Sequence, residues 1–241
     1  NWKAGGTAVS NTDGTITSSV SANPTAGFSV VTYTGTGSAA TVGHGLGVAP
    51  SMVIVKWRSS AGGSWATWHS SFVTASNTDY LLLDSNGAKG FAGSLLFWNN
   101  TIPTSSVFSI GTNAGLNTNT GTYVAYCFAD VEGYSKFGSY TGNGSTDGPF
   151  VYTGFRPAFV IVKGTNVGAS QWNIIDSQRN TSNACNHALF ANLSNAEGSS
   201  DQMDFLSNGF KVRNTFASGN QNNINYNYMA FAENPFKNSL A

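Results

Sequence analysis

The chain matches itself at a fixed spacing, and this constrains its fold more than any other feature. Tyr33-Thr34-Gly35-Thr36-Gly37-Ser38 recurs as Tyr140-Thr141-Gly142-Asn143-Gly144-Ser145, 107 residues later. In the same register Pro50 meets Pro157, Val53-Ile54-Val55-Lys56 meets Val160-Ile161-Val162-Lys163, and Trp65 meets Trp172. Towards the end of each copy, Tyr123 to Asp130 resembles Tyr226 to Glu233 at an offset of 103, so the second copy is four residues shorter in between. Self-similarity at one spacing is the mark of a supersecondary unit built twice.

Each copy reads as β-structure. Phe28 to Tyr33 is rich in aromatic and β-branched residues and runs into a Gly-rich turn. Met52 to Val55 and Phe159 to Val162 are apolar runs too short for helices, each preceded by a proline, which suits strands covered on both faces. Val107 to Ile110 and Phe210 to Val212 form a further matched pair. Ser85-Asn86-Gly87, Gly142-Asn143-Gly144 and Ser207-Asn208-Gly209 are turn formers, because Gly and Asn tolerate positive φ. No window spaces its apolar residues by three and four. The expected fold is all-β: two tandem β-sandwich (jelly-roll-like) units related by internal duplication, over residues 28–137 and 138–241. Residues 1–27, dominated by small and polar side chains, are expected to form an extended N-terminal arm. It would pack on a neighbour or on the first unit, a flexible linker being the alternative.

Only 9% of the residues are charged, against about 25% in an ordinary domain. Solubility therefore rests on hydroxyls, amides and 28 glycines, which suits work outside a cell. Eleven basic residues balance eleven acidic ones without a Lys/Arg cluster, which disfavours nucleic acid as a partner. The apolar runs are far below the ~20 residues that cross a bilayer, so membrane insertion is not expected. Cys127 and Cys185 are read as independent thiols, a disulfide between them being the alternative, with Cys127 as a small buried hydrophobe.

The arrangement of motifs resembles a known family. The stretch from Trp2 through Ala26-Gly27-Phe28-Ser29-Val30-Val31, the Tyr-Thr-Gly-x-Gly-Ser turn at Tyr33, Gly43-His44-Gly45-Leu46-Gly47-Val48-Ala49-Pro50 leading into Val53-Ile54-Val55-Lys56, and the closing Tyr123-Val124-Ala125-Tyr126-Cys127-Phe128-Ala129-Asp130 are similar to a repeated domain in tail-fibre-like structural proteins of tailed, often marine, bacteriophages. The second copy closes on Phe231-Ala232-Glu233-Asn234-Pro235-Phe236 in the same manner. The resemblance implies a virion-surface protein, oligomeric (a trimer favoured), in contact with other virion proteins, with a role in host attachment or surface display. The alternative it leaves is a purely structural component, a capsid-decorating fibre or filament subunit. It supplies no catalytic residues.

The residues themselves give no catalytic constellation, metal set or cofactor motif. Asp130 and Glu132 could share a strand face, but Asp130 has Glu233 as its counterpart, which favours an architectural role over a carboxylate pair for hydrolysis. His44, His69 and His187 lack metal-ligand spacing. His44 sits in a Gly-His-Gly turn, as a surface or hydrogen-bonding residue. The six tryptophans raise the possibility of stacking on host-surface glycan. Trp65 and Trp172 are equivalent and read as core. Trp57 aligns with Gly164, an exchange that a core position would not tolerate, so it is the leading candidate for an exposed aromatic, in ligand stacking or a subunit contact. Trp98, Trp68 and His69 complete the candidate set. Trp68, opposite Ile175, also reads as core, and His69, opposite Asp176, as a rim position. The amide-rich stretches 180–186 and 214–227 read as solvated loops that could also meet sugar hydroxyls.

Overall fold

The computed structural model describes residues 2–72, 79–90, 94–199 and 203–234, with the side chains of residues 94 and 95 outside the description. Among the described residues the fold is all-β, with little helix. Compactness divides the chain into unit 1, Asn1–Leu82 with Gly90–Asp130, and unit 2, Leu83–Lys89 with Val131–Ala241.

Unit 1 contains β1 (Val9–Asn11), β2 (Ser18–Asn23), β3 (Phe28–Thr34), β4 (Ala40–Gly43), β5 (Met52–Trp57), β6 (Trp65–His69), β7 (Leu81–Leu82), β8 (Val107–Ile110) and β9 (Thr122–Phe128). Its large sheet has the order β1-β2-β3-β9-β5-β6-β7, and β4 pairs with β8 in a small second sheet. Unit 2 contains β10 (Ser135–Thr141), β11 (Phe150–Tyr152), β12 (Pro157–Gly164), β13 (Asn173–Asp176), β14 (Ala188–Phe190), β15 (Met203–Leu206), β16 (Gly209–Val212) and β17 (Asn225–Ala232). Its sheets run β10-β17-β12-β13-β14 and β11-β16-β15. Strand for strand, β10-β17-β12-β13-β14 follows the order of β3-β9-β5-β6-β7. In each large sheet the last strand of the unit, β9 or β17, lies between two earlier ones.

Alternation explains which faces meet. Val20, Val31, Tyr33, Val53, Val55, Tyr123, Ala125 and Cys127 point inward in unit 1 and are at most 4% exposed. In unit 2, Val160, Val162, Phe205, Phe210, Val212, Tyr226 and Ala230 form the equivalent interior. Burial of such side chains is worth roughly 1.5–3 kcal/mol each.

Two boundaries differ from those expected. Residues 9–23 are no separate arm: β2 pairs along β3 from Ser19↔Thr32 to Asn23↔Phe28, and β1 pairs with β2, so this segment completes the sheet of unit 1. Its small side chains fit because its outward face carries no core. Unit 2 begins at Val131, ahead of residue 138, because all of β10 pairs with β17.

The repeated Tyr-Thr-Gly-x-Gly-Ser turn is held by a buried asparagine in each unit. Asn117 Oδ1 accepts from the Thr36 N–H at 2.7 Å, and its Nδ2 donates to the carbonyls of Ser38 (2.6 Å) and Gly111 (2.8 Å). Asn220 Oδ1 accepts from the Asn143 N–H at 2.9 Å, and its Nδ2 donates to the carbonyls of Ser145 (2.7 Å) and Asn214 (2.8 Å). Both asparagines are fully buried. The first glycine of the turn leaves room for this approach, since a Cβ at Gly35 would strike the Thr118 carbonyl and one at Gly142 the Gln221 carbonyl. The second, Gly37 or Gly144, takes a left-handed φ of 76° or 67°, where glycine bears no Cβ penalty. The leading tyrosines stack on their partners from the last strand, Tyr33 on Tyr123 at 5.2 Å and Tyr140 on Tyr226 at 5.1 Å.

Candidate functional site

The four side chains singled out from sequence are not brought together on a surface. Trp57, at the end of β5, is half-buried: its ring stacks on Tyr123 at 5.8 Å and its indole N–H donates to Ser59 Oγ at 3.0 Å. Trp68, Trp98 and His69 are buried, at 3%, 1% and 2% exposure, which corrects their candidacy as contact residues. In β6 every residue from Ala66 to His69 is buried, so this strand is covered on both faces and strand alternation does not bring His69 to a rim. His69 Nδ1 instead accepts from the Ser71 N–H at 3.1 Å. Among the described residues, neither the Trp68 nor the Trp98 indole N–H meets a hydrogen-bond acceptor. His44 is also buried: Nδ1 accepts from the Leu46 N–H and Nε2 faces the Thr104 carbonyl at 3.2 Å. Burial, the larger influence, holds its pKa below the ordinary histidine value.

The two cysteines are interior as well. Cys127 and Cys185 are free and buried, and desolvation pushes the Cys127 thiol up to about 12, far from a thiolate at neutral pH. Among the described residues no group of His, Cys, Asp and Glu could hold a metal ion, and no helix is long and apolar enough to cross a membrane.

Lys163, on β12, is fully buried and its ammonium donates to the carbonyls of Gly87 and Gly164, each at 2.8 Å. Desolvation lowers its pKa to about 8 from an ordinary 10.5. The unfolded chain therefore holds this proton more tightly than the folded one, and the group's contribution to stability rises with pH between those two values. From pH 8 to 9 the rise is expected to be about 1 kcal/mol, since one pKa unit is worth about 1.4 kcal/mol. Urea unfolding of the wild type minus that of Lys163→Met, across this range, measures it. A difference that stays flat would refute the argument.

One surface of unit 2 combines apolar and charged groups. On β11 the burial alternates, so that Val151 enters the core while Phe150 and Tyr152 stay 46% and 64% exposed. Phe150 stands opposite Lys211 on β16, which stands opposite Asp204 on β15. Tyr152 stands opposite Gly209, and Gly209 opposite Leu206. Gly209 thus leaves a gap beside Tyr152, over which the Phe150 ring leans, because a Cβ at Gly209 would meet that ring. Asp147 caps the charged end, 2.8 Å from Lys211 Nζ and 3.7 Å from Arg213, and Arg213 Nε binds Asp204 at 2.6 Å. The hydrogen bond from Lys211, with its charge, holds the Asp147 carboxyl below its usual range. The arrangement can stack an apolar ring face and offer ionic donors and acceptors beside it.

In unit 1 the strand that pairs in the same way, β4, is covered by the chain's own N-terminal segment. Thr41 meets Thr15 and Ile16 through hydrogen bonds of 2.9 and 3.0 Å, and the Gly43 carbonyl accepts from Ser18 Oγ at 3.0 Å. Attention to tryptophan alone misses the face on β11. The signal present in the sequence is an aromatic on each side of Val151, between the turn residues Gly148-Pro149 and Gly154.

A family model described as a domain of unknown function, DUF7483, matches residues 1–235. No curated protein and no solved structure matches the chain.

Proposed function

We propose, for a chain that belongs to the DUF7483 family over residues 1–235, a role as a virion-surface fibre or spike module of a tailed bacteriophage that attaches to host-surface glycan. The observation that carries this reading is the Phe150–Tyr152 face. Two aromatics on one strand stay exposed beside the Lys211, Asp147, Arg213 and Asp204 network, in a chain of which only 9% of the residues are charged. Apolar sugar faces stack on aromatic rings while ring hydroxyls bond to charged groups, and hydrogen bonds to charged partners are the stronger kind. The low charge and the sequence resemblance to tail-fibre-like proteins support an extracellular virion setting. We read the protein as a non-enzymatic, homo-oligomeric component, a trimer favoured, bound to other virion proteins.

The test is a glycan array and host-cell binding assay with Tyr152→Ala and Phe150→Ala, each checked for oligomeric state by light scattering. At least a tenfold loss of binding with assembly intact is expected. Binding that survives both changes would sink the reading. Loss of assembly in place of binding would favour the structural-component alternative, in which these rings are buried between copies.

A further inference from the structure

The outward face of the large sheet in unit 1 holds a groove of different chemistry. Ser10 on β1 stands opposite Ser19 on β2, and Ser19 opposite Thr32 on β3, so three hydroxyls form a row across the strands. Beside that row Thr34 stands opposite Thr122 on β9, and the Arg58 N–H donates to the Thr122 carbonyl at 2.7 Å. With Thr17, which leads into β2, these residues line an open groove of about 380 Å³ that contains no carboxylate. Neighbouring strands lie about 4.8 Å apart, a spacing comparable with the width of a sugar ring.

What distinguishes the groove is how many of its polar groups are unspent, although the lining hydroxyls of Ser18 and Tyr33 donate to the Gly43 and Leu116 carbonyls. Among the described residues, none of the hydroxyls of Ser10, Thr17, Ser19, Thr32, Thr34 and Thr122 has a protein partner, and the Arg58 guanidinium has neither an ion pair nor a side-chain hydrogen bond. Other arginines of the chain are spent: Arg156, Arg179 and Arg213 each bind a carboxylate. A guanidinium is always charged and presents a planar fork that matches a carboxylate or sulfate through two parallel hydrogen bonds. Hydroxyls both donate and accept, and so suit a polyhydroxylated ring.

We propose that this groove is a binding site for an acidic saccharide, with Arg58 on its carboxylate or sulfate and the Ser/Thr rows on its ring hydroxyls. The site lies within unit 1 and is independent of the Phe150–Tyr152 face of unit 2. It holds whether or not that face binds glycan.

Calorimetric titration of the full chain tests it with trigalacturonate, a sulfated disaccharide, neutral galactotriose and sodium sulfate as the probes. At least one of the two acidic saccharides is expected to bind about tenfold or more tighter than the neutral one, because a charge-assisted pair discriminates by that order. Which of the two binds identifies the anion as carboxylate or sulfate. Arg58→Gln, which removes an exposed and unpaired group, should abolish this preference while circular dichroism stays unchanged. Ser19→Ala with Thr32→Val should weaken the binding that Arg58→Gln leaves behind, and Tyr152→Ala should leave all of it intact. Equal binding of acidic and neutral sugars, an unaltered preference in Arg58→Gln, or sulfate alone binding as tightly as the saccharides would each overturn the proposal.

Discussion

Replacing Asn220 by leucine is expected to destabilise the protein by about 3–5 kcal/mol, more than any exposed substitution. The side chain is fully buried and satisfies three backbone groups: the Asn143 N–H and the carbonyls of Ser145 and Asn214. Leucine has a similar volume, so packing changes little, but it leaves those groups without partners, the Asn214 carbonyl buried and the other two part-buried. Each unsatisfied group costs about 1–3 kcal/mol, and partial relaxation of the turn keeps the total below the sum. Asn117→Leu strands the Thr36 N–H and the carbonyls of Ser38 and Gly111 in the same way. Urea midpoints measured beside Asn119→Leu, a change at an exposed position, decide the matter. A shift no larger than that of Asn119→Leu would mean that the network is dispensable.

The second large effect is steric. A Cβ at Gly142 would stand against the Gln221 carbonyl oxygen, closer than real side chains approach backbone, and near the Asn220 main chain and the Tyr226 ring. Backbone cannot swing aside as a flexible side chain can, so Gly142→Ala must push the turn off its asparagine anchor. Overpacking of this kind costs about 1–3 kcal/mol, and the strained hydrogen bonds of Asn220 place this case at the upper end. Gly168→Ala provides the contrast, because nothing lies within 4 Å of a Cβ there. Thermal unfolding should separate the two variants clearly. Equal melting temperatures would show that the turn yields more readily than its contacts imply.

These effects also show what a single sequence can and cannot convey. The strands around Val53-Ile54-Val55 and Val160-Ile161-Val162 are legible because their apolar runs are local, and the Tyr-Thr-Gly-x-Gly-Ser turn is visible because it occurs twice. The asparagine that holds each turn is not: Asn117 lies 79 residues from Ser38, and a lone Asn in a polar stretch looks like any solvated amide. His69 misleads because the burial of β6 depends on what covers its outer face, which its own alternation does not encode. Residues 9–23 read as an arm because their side chains are small and polar. Their strand character comes from pairing with β3, since the sheet supplies the hydrogen bonds whatever the side chains are. The exposed pair Phe150 and Tyr152 is legible only once Val151 is known to point inward.

The position of β9 and β17 has a consequence for how the protein is made. Each is the last strand of its unit and lies between two earlier strands of its large sheet, β9 between β3 and β5 and β17 between β10 and β12. A nascent chain can form hairpins early, but the gap between those two strands stays open until the closing strand leaves the ribosome. Until residue 128 has emerged, β3 and β5 each present an unpaired edge, of the kind that invites pairing with other chains. Closure then joins segments as far apart as Phe28 and Phe128, and contacts of that span form slowly. Synthesis of this protein therefore proceeds through two long waits, each ended by one strand sliding into a gap already shaped for it.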